Sequence, residues 1–314
     1  MGIILLLIQC NAPHDNPLDP DNPDYTYGYI TGTVETLSAP VTPLAGVEVS
    51  WENDHVLVRT DNKGKYMIDE IAPRTGNLVF NKMGFIPDTI NVTWSENKQF
   101  TANVRLNAMP VMDSLSIYTT VDYKNYVFPI IQLTVSVHIV DVDNDVDSVF
   151  VQNDHFGFKK VLVYNANTRM YEQTFYAADL NISSIKQIVG WPLVIYVVDR
   201  YAKQFNVGHG VASRVISEDI SLREPVSGQL VSAKPALRWY RYNPGFDYKL
   251  VLEVYKVQVF PEQILTISDI PSDSTYYQLQ TLLESGVEHW WRLWCIDSFN
   301  NRINSKFSTF QVEN

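Results

Sequence analysis

Leu133-Thr134-Val135-Ser136-Val137-His138-Ile139 is the stretch that decides the fold. Apolar and polar residues alternate through it, so an extended chain carries Leu133, Val135, Val137 and Ile139 on one face and Thr134, Ser136 and His138 on the other. A period of two is the signature of a half-buried strand. Phe100, Ala102, Val104 and Leu106 alternate with Thr101, Asn103 and Arg105 in the same way, and Tyr248, Leu250, Leu252 and Val254 with Lys249, Val251 and Glu253. Helical periodicity is almost confined to Asp179–Gln187, whereas alternation and turn residues recur along the whole chain. The fold class is therefore all-β, built as tandem sandwiches.

The chain has 314 residues with 46% hydrophobic side chains, enough for two or three domains with their own cores and too apolar for disorder. Its 24 Lys and Arg against 35 Asp and Glu give a net charge of −11. Such a chain offers no basic face to a phosphate backbone, which argues against a nucleic-acid partner.

Residues 1–10 hold a short apolar run, Ile3 to Ile8, that ends at Gln9 and Cys10. It falls well short of the roughly 20 residues of a membrane helix and reads as a signal segment or simply an apolar N-terminus. Residues 11–28 follow, with Pro13, Pro17, Pro20 and Pro23 interleaved with Asp and Asn and little to bury. Proline fixes φ and disfavours helix at the residue before it, so this stretch is an extended tether. Leu7-Ile8-Gln9-Cys10 resembles a bacterial lipobox, which implies lipid on Cys10 and a membrane as partner. Cys295 then stands alone in an alternating apolar run and is expected to be a buried, inert thiol.

Three sandwiches follow, at 29–109, 110–217 and 218–314. The first carries Gly32 and Val34, then Leu44, Gly46, Val47 and Val49, then Thr60, Asp61, Gly64, Tyr66 and Ile68, and finally Leu78, Phe80, Gly84 and Phe85. Asp61-Asn62-Lys63-Gly64 is expected to form a hairpin turn with Gly64 at positive φ. This pattern resembles the carboxypeptidase regulatory-like domain, a transthyretin-like sandwich that implies an accessory module rather than a peptidase. In the last segment Leu237 and Trp239 bring a core Trp, and Gly286 precedes His289, Trp291, Leu293 and Cys295 at alternate positions. It resembles a fibronectin type III-like sandwich, with His289 in a structural corner role and Phe310 and Val312 closing the sheet. The middle segment, with apolar runs at 127–140, 149–151, 161–164, 171–176 and 188–198, is expected to be immunoglobulin-like. Its turn after Val197-Val198-Asp199 matches the one after Ile296-Asp297.

The six His residues, at 14, 55, 138, 155, 209 and 289, lack zinc-ligand spacing, and no nucleophile elbow, phosphate loop or dinucleotide fingerprint occurs. The chain is accordingly expected not to be an enzyme and to need no cofactor, calcium excepted. Asp141, Asp143, Asp145 and Asp147 are the sharpest local feature, because alternate spacing aims hard oxygen ligands to one side. An EF-hand is excluded, since its Gly and Glu positions hold Val146 and Gln152. A calcium site and a solvated acidic hairpin both remain open. Trp290 and Trp294 are expected to point outward around Arg292. They would serve a glycan or partner, or else cover an interface or stack with Arg292. Tyr240 and Tyr242 are expected outward on another strand.

The sequence thus describes a lipid-anchored protein of the bacterial envelope, at the outer membrane or cell surface, that binds or assembles without catalysis, with an envelope protein or glycan as partner. The alternative is a secreted carbohydrate-binding or enzyme-accessory protein.

Overall fold

The computed structural model describes residues 27–94, 98–124 and 128–314. Cys10 and the Pro-rich stretch up to Thr26 lie outside the described residues. The chain is all-β and divides into two compact units. The first comprises Met1–Pro110 together with Asp141–Asp145, and the second Val111–Val140 with Val146–Asn314.

In the first unit the strands are β1 Gly28–Thr36, β2 Glu48–Trp51, β3 Val56–Arg59, β4 Lys65–Ile71, β5 Gly76–Asn81, β6 Asp88–Val92, β7 Gln99–Thr101 and β8 Val104–Leu106. One sheet runs β4-β1-β7 with β8 also on β1, and the other runs β3-β2-β5-β6. Ile30, Val34 and Ile68 from the first meet Val49, Trp51, Leu78 and Phe80 from the second in one core. Each such side chain contributes about 1.5–3 kcal/mol by leaving water.

Phe100 to Leu106 is two strands, both parallel to β1. Between them Asn103 Oδ1 accepts from Thr33 N and Oγ1, each at 3.0 Å, in place of ladder bonds. A Cβ on Gly32 would lie 1.8 Å from Ala102 O, so only glycine permits this approach. The Asp61–Gly64 turn does form, with Gly64 at φ 72°, but it joins β3 and β4, which belong to opposite sheets, and so is no hairpin.

In the second unit β9 Val111–Asp122, β10 Ile130–Val140, β11 Val146–Asn153, β12 Phe158–Asn165, β13 Met170–Phe175, β14 Pro192–Asp199 and β15 Gln204–Val211 surround one core. Val135, Val137, Val149, Val151, Leu193, Ile195 and Val197 fill it by the alternation read from the sequence. β12 pairs with β11 as far as Leu162 and with β13 from Val163, and so makes β15-β14-β11 continuous with β13-β10-β9. The helical signal at Asp179–Gln187 resolves into two 3₁₀ turns, Ala177–Leu180 and Ile185–Ile188.

The second core of this unit lies among β16 Leu222–Glu224, β17 Gln229–Val231, β18 Ala236–Trp239, β19 Tyr248–Lys256, β20 Glu262–Ile270, β21 Tyr276–Gln278, β22 Glu288–Asp297, β23 Arg302–Asn304 and β24 Ser308–Val312. Trp239, Leu250, Leu252, Val254, Trp291, Leu293 and Phe310 occupy it. Tyr242 is buried rather than outward, because β18 ends at Trp239 and the alternation stops. Its hydroxyl donates to Glu218 O at 2.9 Å. The two cores of this unit share one sheet: β9 runs parallel to β23, with Thr120 opposite Arg302 and Val121 opposite Ile303. Ile131 and Val215 pack against both cores.

One turn recurs in both units. Asp61 Oδ1 accepts from the amides of Lys63 and Lys65, Asp199 Oδ1 from Tyr201 and Lys203, and Asp297 Oδ1 from Phe299 and Asn301. In each the fourth residue is left-handed: Gly64, Ala202 at φ 62° and Asn300 at φ 67°.

Candidate functional site

The acidic run sits in the segment that leaves β10 and precedes β11. Alternation exposes Val142 and Asn144 and turns Asp141, Asp143 and Asp145 to one side. One carboxylate oxygen of each lies within 4.8 Å of the others. Asp143 and Asp145 are 2% and 1% exposed. One oxygen of each carboxylate accepts a hydrogen bond from the surrounding chain. Asp141 Oδ2 accepts from Asp145 N at 2.9 Å, Asp143 Oδ2 from Ala108 N at 3.1 Å and Asp145 Oδ2 from Ser38 Oγ at 2.9 Å. Asp141 Oδ1 and Asp143 Oδ1 are buried without a hydrogen-bond partner. Burial, then the neighbouring Asp143 and Asp145 carboxylates, push Asp141 up to about 7, although the Asp145 amide acts in the opposite direction. Asp147, the fourth residue of the run, is exposed on β11 and outside this group.

Trp290 and Trp294 are half-buried on β22, facing away from the core as alternation requires. The Arg292 guanidinium lies 4.9 Å from the Trp294 ring centre, and Trp294 Nε1 donates to Glu253 Oε2 at 3.0 Å. Arg292 is held in turn by Glu253 at 2.5 Å, Asp122 at 3.4 Å and the Tyr255 hydroxyl at 3.0 Å. Burial and the hydrogen bond to Glu253 push Tyr255 up to about 12. Trp290 tilts against Phe307 with ring centres 5.5 Å apart. Both indoles therefore belong to a network that joins β22 and β19 to the end of β9.

A second aromatic group lies on the middle sandwich. Trp191, 39% exposed, stacks on His155 at 3.9 Å and 11°, and Tyr196 stacks on Phe150 at 5.3 Å and 18°. Trp191, His155 and Tyr196, with Gln152 and Asp154, line a cleft of about 160 Å³ on the middle sandwich. The available signal was Gly190-Trp191-Pro192, a Trp set in a turn immediately before β14 where alternation provides no inward position for it.

His289 is fully buried, its Nδ1 donating to Val287 O at 3.0 Å and its ring stacked on Phe310. Burial lowers its pKa, so the ring is neutral. Cys295 is 0% exposed, and burial pushes its thiol up to about 12. Neither is placed to react.

No protein family profile matches the chain, and no curated protein matches it. Among solved structures it is similar to the fibronectin(III)-like modules of Clostridium thermocellum CbhA, at 12% identity and a TM-score of 0.32 over 65% of this chain and 93% of that one. A putative carbohydrate binding protein from Bacteroides uniformis is similar at 11% identity and 0.24, over 60% and 97% of the two chains. The major pilin subunit of Bacillus cereus is similar at 10% identity and 0.27, over 88% and 91%. Likenesses this distant carry no argument about function.

Proposed function

We propose that the chain is a non-catalytic binding or assembly protein of the bacterial cell envelope, held at a membrane through lipid on Cys10 and set off from it by the Pro-rich tether. Its first sandwich would be the carboxypeptidase regulatory-like accessory module. The observation that carries this reading is the fusion of the second and third sandwiches into one sheet through β9 and β23. Such a junction presents surfaces of the two sandwiches at a fixed mutual geometry, which suits recognition or assembly. Cells expressing the gene and fed a clickable fatty acid test the anchor. Label on the wild type that is lost in Cys10→Ser supports it, and equal absence of label from both removes it.

The cleft at Trp191 favours one second reading, carbohydrate binding. An exposed indole beside Gln152 and Asp154 offers an apolar plate and hydrogen-bonding edges to a sugar ring. Affinity electrophoresis against a panel of polysaccharides compares the wild type with Trp191→Ala and with Trp290→Ala/Trp294→Ala. Retardation lost only in the first places sugar at the cleft, and loss only in the second places it on β22.

A further inference from the structure

We propose that Asp141, Asp143 and Asp145 bind one calcium ion. An acidic cluster alone would be a solvated turn, but this one is not solvated: Asp143 is 98% buried and its Oδ1 has no hydrogen-bond partner, while Asp141 Oδ1 is buried and unpartnered beside it. A buried carboxylate oxygen with neither donor nor cation costs several kcal/mol in general, so such atoms are normally satisfied. Among the described residues no Lys or Arg forms an ion pair with Asp141 or Asp143. A cation supplies what the chain does not.

The grip on the carboxylates supports the same conclusion. The Ala108 amide and Ser38 hydroxyl orient Asp143 and Asp145 through one oxygen each, and the Asp145 amide does so for Asp141. Hydrogen bonds of this kind fix ligands in metal sites. The 4.8 Å limit on ligand spacing is compatible with one ion at calcium's about 2.3–2.6 Å bond length, for which opposed oxygens lie about 4.6–5.2 Å apart. An all-oxygen set of three carboxylates suits a hard cation. Magnesium, with bonds of about 2.0–2.1 Å and a reluctance to shed water, suits it less.

The test is thermal unfolding of the full chain in EDTA and in about 5 mM CaCl₂ or MgCl₂, above the roughly 10⁻⁴–10⁻³ M range of weak extracellular calcium modules, with direct counting of bound ⁴⁵Ca by equilibrium dialysis. Expected are one tightly held calcium per chain and a Tm raised by about 3 °C or more, with a smaller response to magnesium. Asp143→Asn keeps an acceptor for Ala108 but replaces the bare oxygen with an NH₂ that repels a cation, so it should lose the calcium response while its Tm in EDTA does not fall. Asp147→Asn should respond as the wild type does. No saturable ⁴⁵Ca on the wild type overturns the proposal, as does a calcium response that survives in Asp143→Asn. Should Asp143→Asn fail to fold, the stoichiometry on the wild type and on Asp147→Asn decides, because diffuse binding to an acidic surface would not saturate at one ion.

Discussion

Asn301, 0% exposed, accepts the backbone N–H of Thr119 on its Oδ1 at 2.9 Å, although 182 residues separate the two. Its amide nitrogen donates to Ser213 Oγ at 2.8 Å and Asp297 Oδ2 at 3.0 Å, so one side chain satisfies groups on both sandwiches of the second unit. Asn304 acts similarly, accepting from Tyr123 N at 2.8 Å and donating to Asp122 at 2.6 Å. A short parallel pairing of two residues is thereby held by two buried amides.

Asn301→Leu is expected to destabilise the second unit by about 2–4 kcal/mol, since it leaves the buried Thr119 amide without its acceptor and removes one of the donors to the buried Asp297 carboxylate, which keeps Arg214 at 3.3 Å. Calorimetry reads the consequence. The wild-type unit should melt in one transition, and the variant should separate the two sandwiches into two. A single transition at an unchanged temperature would mean that Asn301 does not couple them.

Arg292 provides a harder version of this test. Its side chain is 13% exposed, beside Glu253 at 14% and Asp122 at 16%, and breaking a buried pair strands the remaining charge. Arg292→Ala should cost about 3–5 kcal/mol in urea unfolding, whereas Arg292→Ala/Glu253→Gln should recover part of the loss. Because the pairs are shielded from solvent, 0.5 M salt should change the wild-type value little.

The strands were legible because a buried sheet face enforces a period of two. Leu133, Val135 and Val137, and likewise Leu250, Leu252 and Val254, are inward as the pattern dictates. The acidic run was legible for the same reason, and Asp147 left the group because β11 begins at Val146 and removes it from the loop. What could not be read were relations that alternation does not encode. Nothing in the spacing of Asn301 or Asn304 announces a partner on β9, and Asn residues after an Asp look like ordinary turn residues. Tyr242 departs from the pattern because β18 stops at Trp239, three residues before it. The Trp191 cleft depends on a stack with His155 that brings together two turns 36 residues apart in the chain, which no local window contains.

His289 predicts a pH effect. Its folded pKa is below the ordinary 6.5, so below about pH 6.5 the unfolded chain takes up a proton that the folded chain refuses, and stability falls with pH in that range. His289→Asn keeps a donor toward Val287 O and cannot titrate, so the wild-type-minus-variant stability should shrink as pH falls from 7.5 toward 5. Asp141 titrates in both proteins and cancels in the difference. A difference independent of pH, or an imidazole NMR midpoint at or above 6.5, would contradict the buried neutral ring.

The repeated Asp turn gives a prediction in the stabilising direction. Gly64 takes the left-handed position at no steric cost, Asn300 tolerates it, and Ala202 holds it at φ 62° with a Cβ that opposes that conformation. Ala202 is exposed, so a substitution there disturbs no packing, and its amide bond to Asp199 O is a backbone contact that any residue but proline retains. Ala202→Gly removes the strain in the folded state but loosens the unfolded chain, and the first effect of about 1–2 kcal/mol exceeds the second of about 0.4–1 kcal/mol. The net expectation is a gain of about 0.5–1 kcal/mol by urea titration with an unchanged m-value. Gly64→Ala should move the other way by more, because its added Cβ would also lie 2.4 Å from Val34 O, and the two signs together test whether backbone handedness governs this turn.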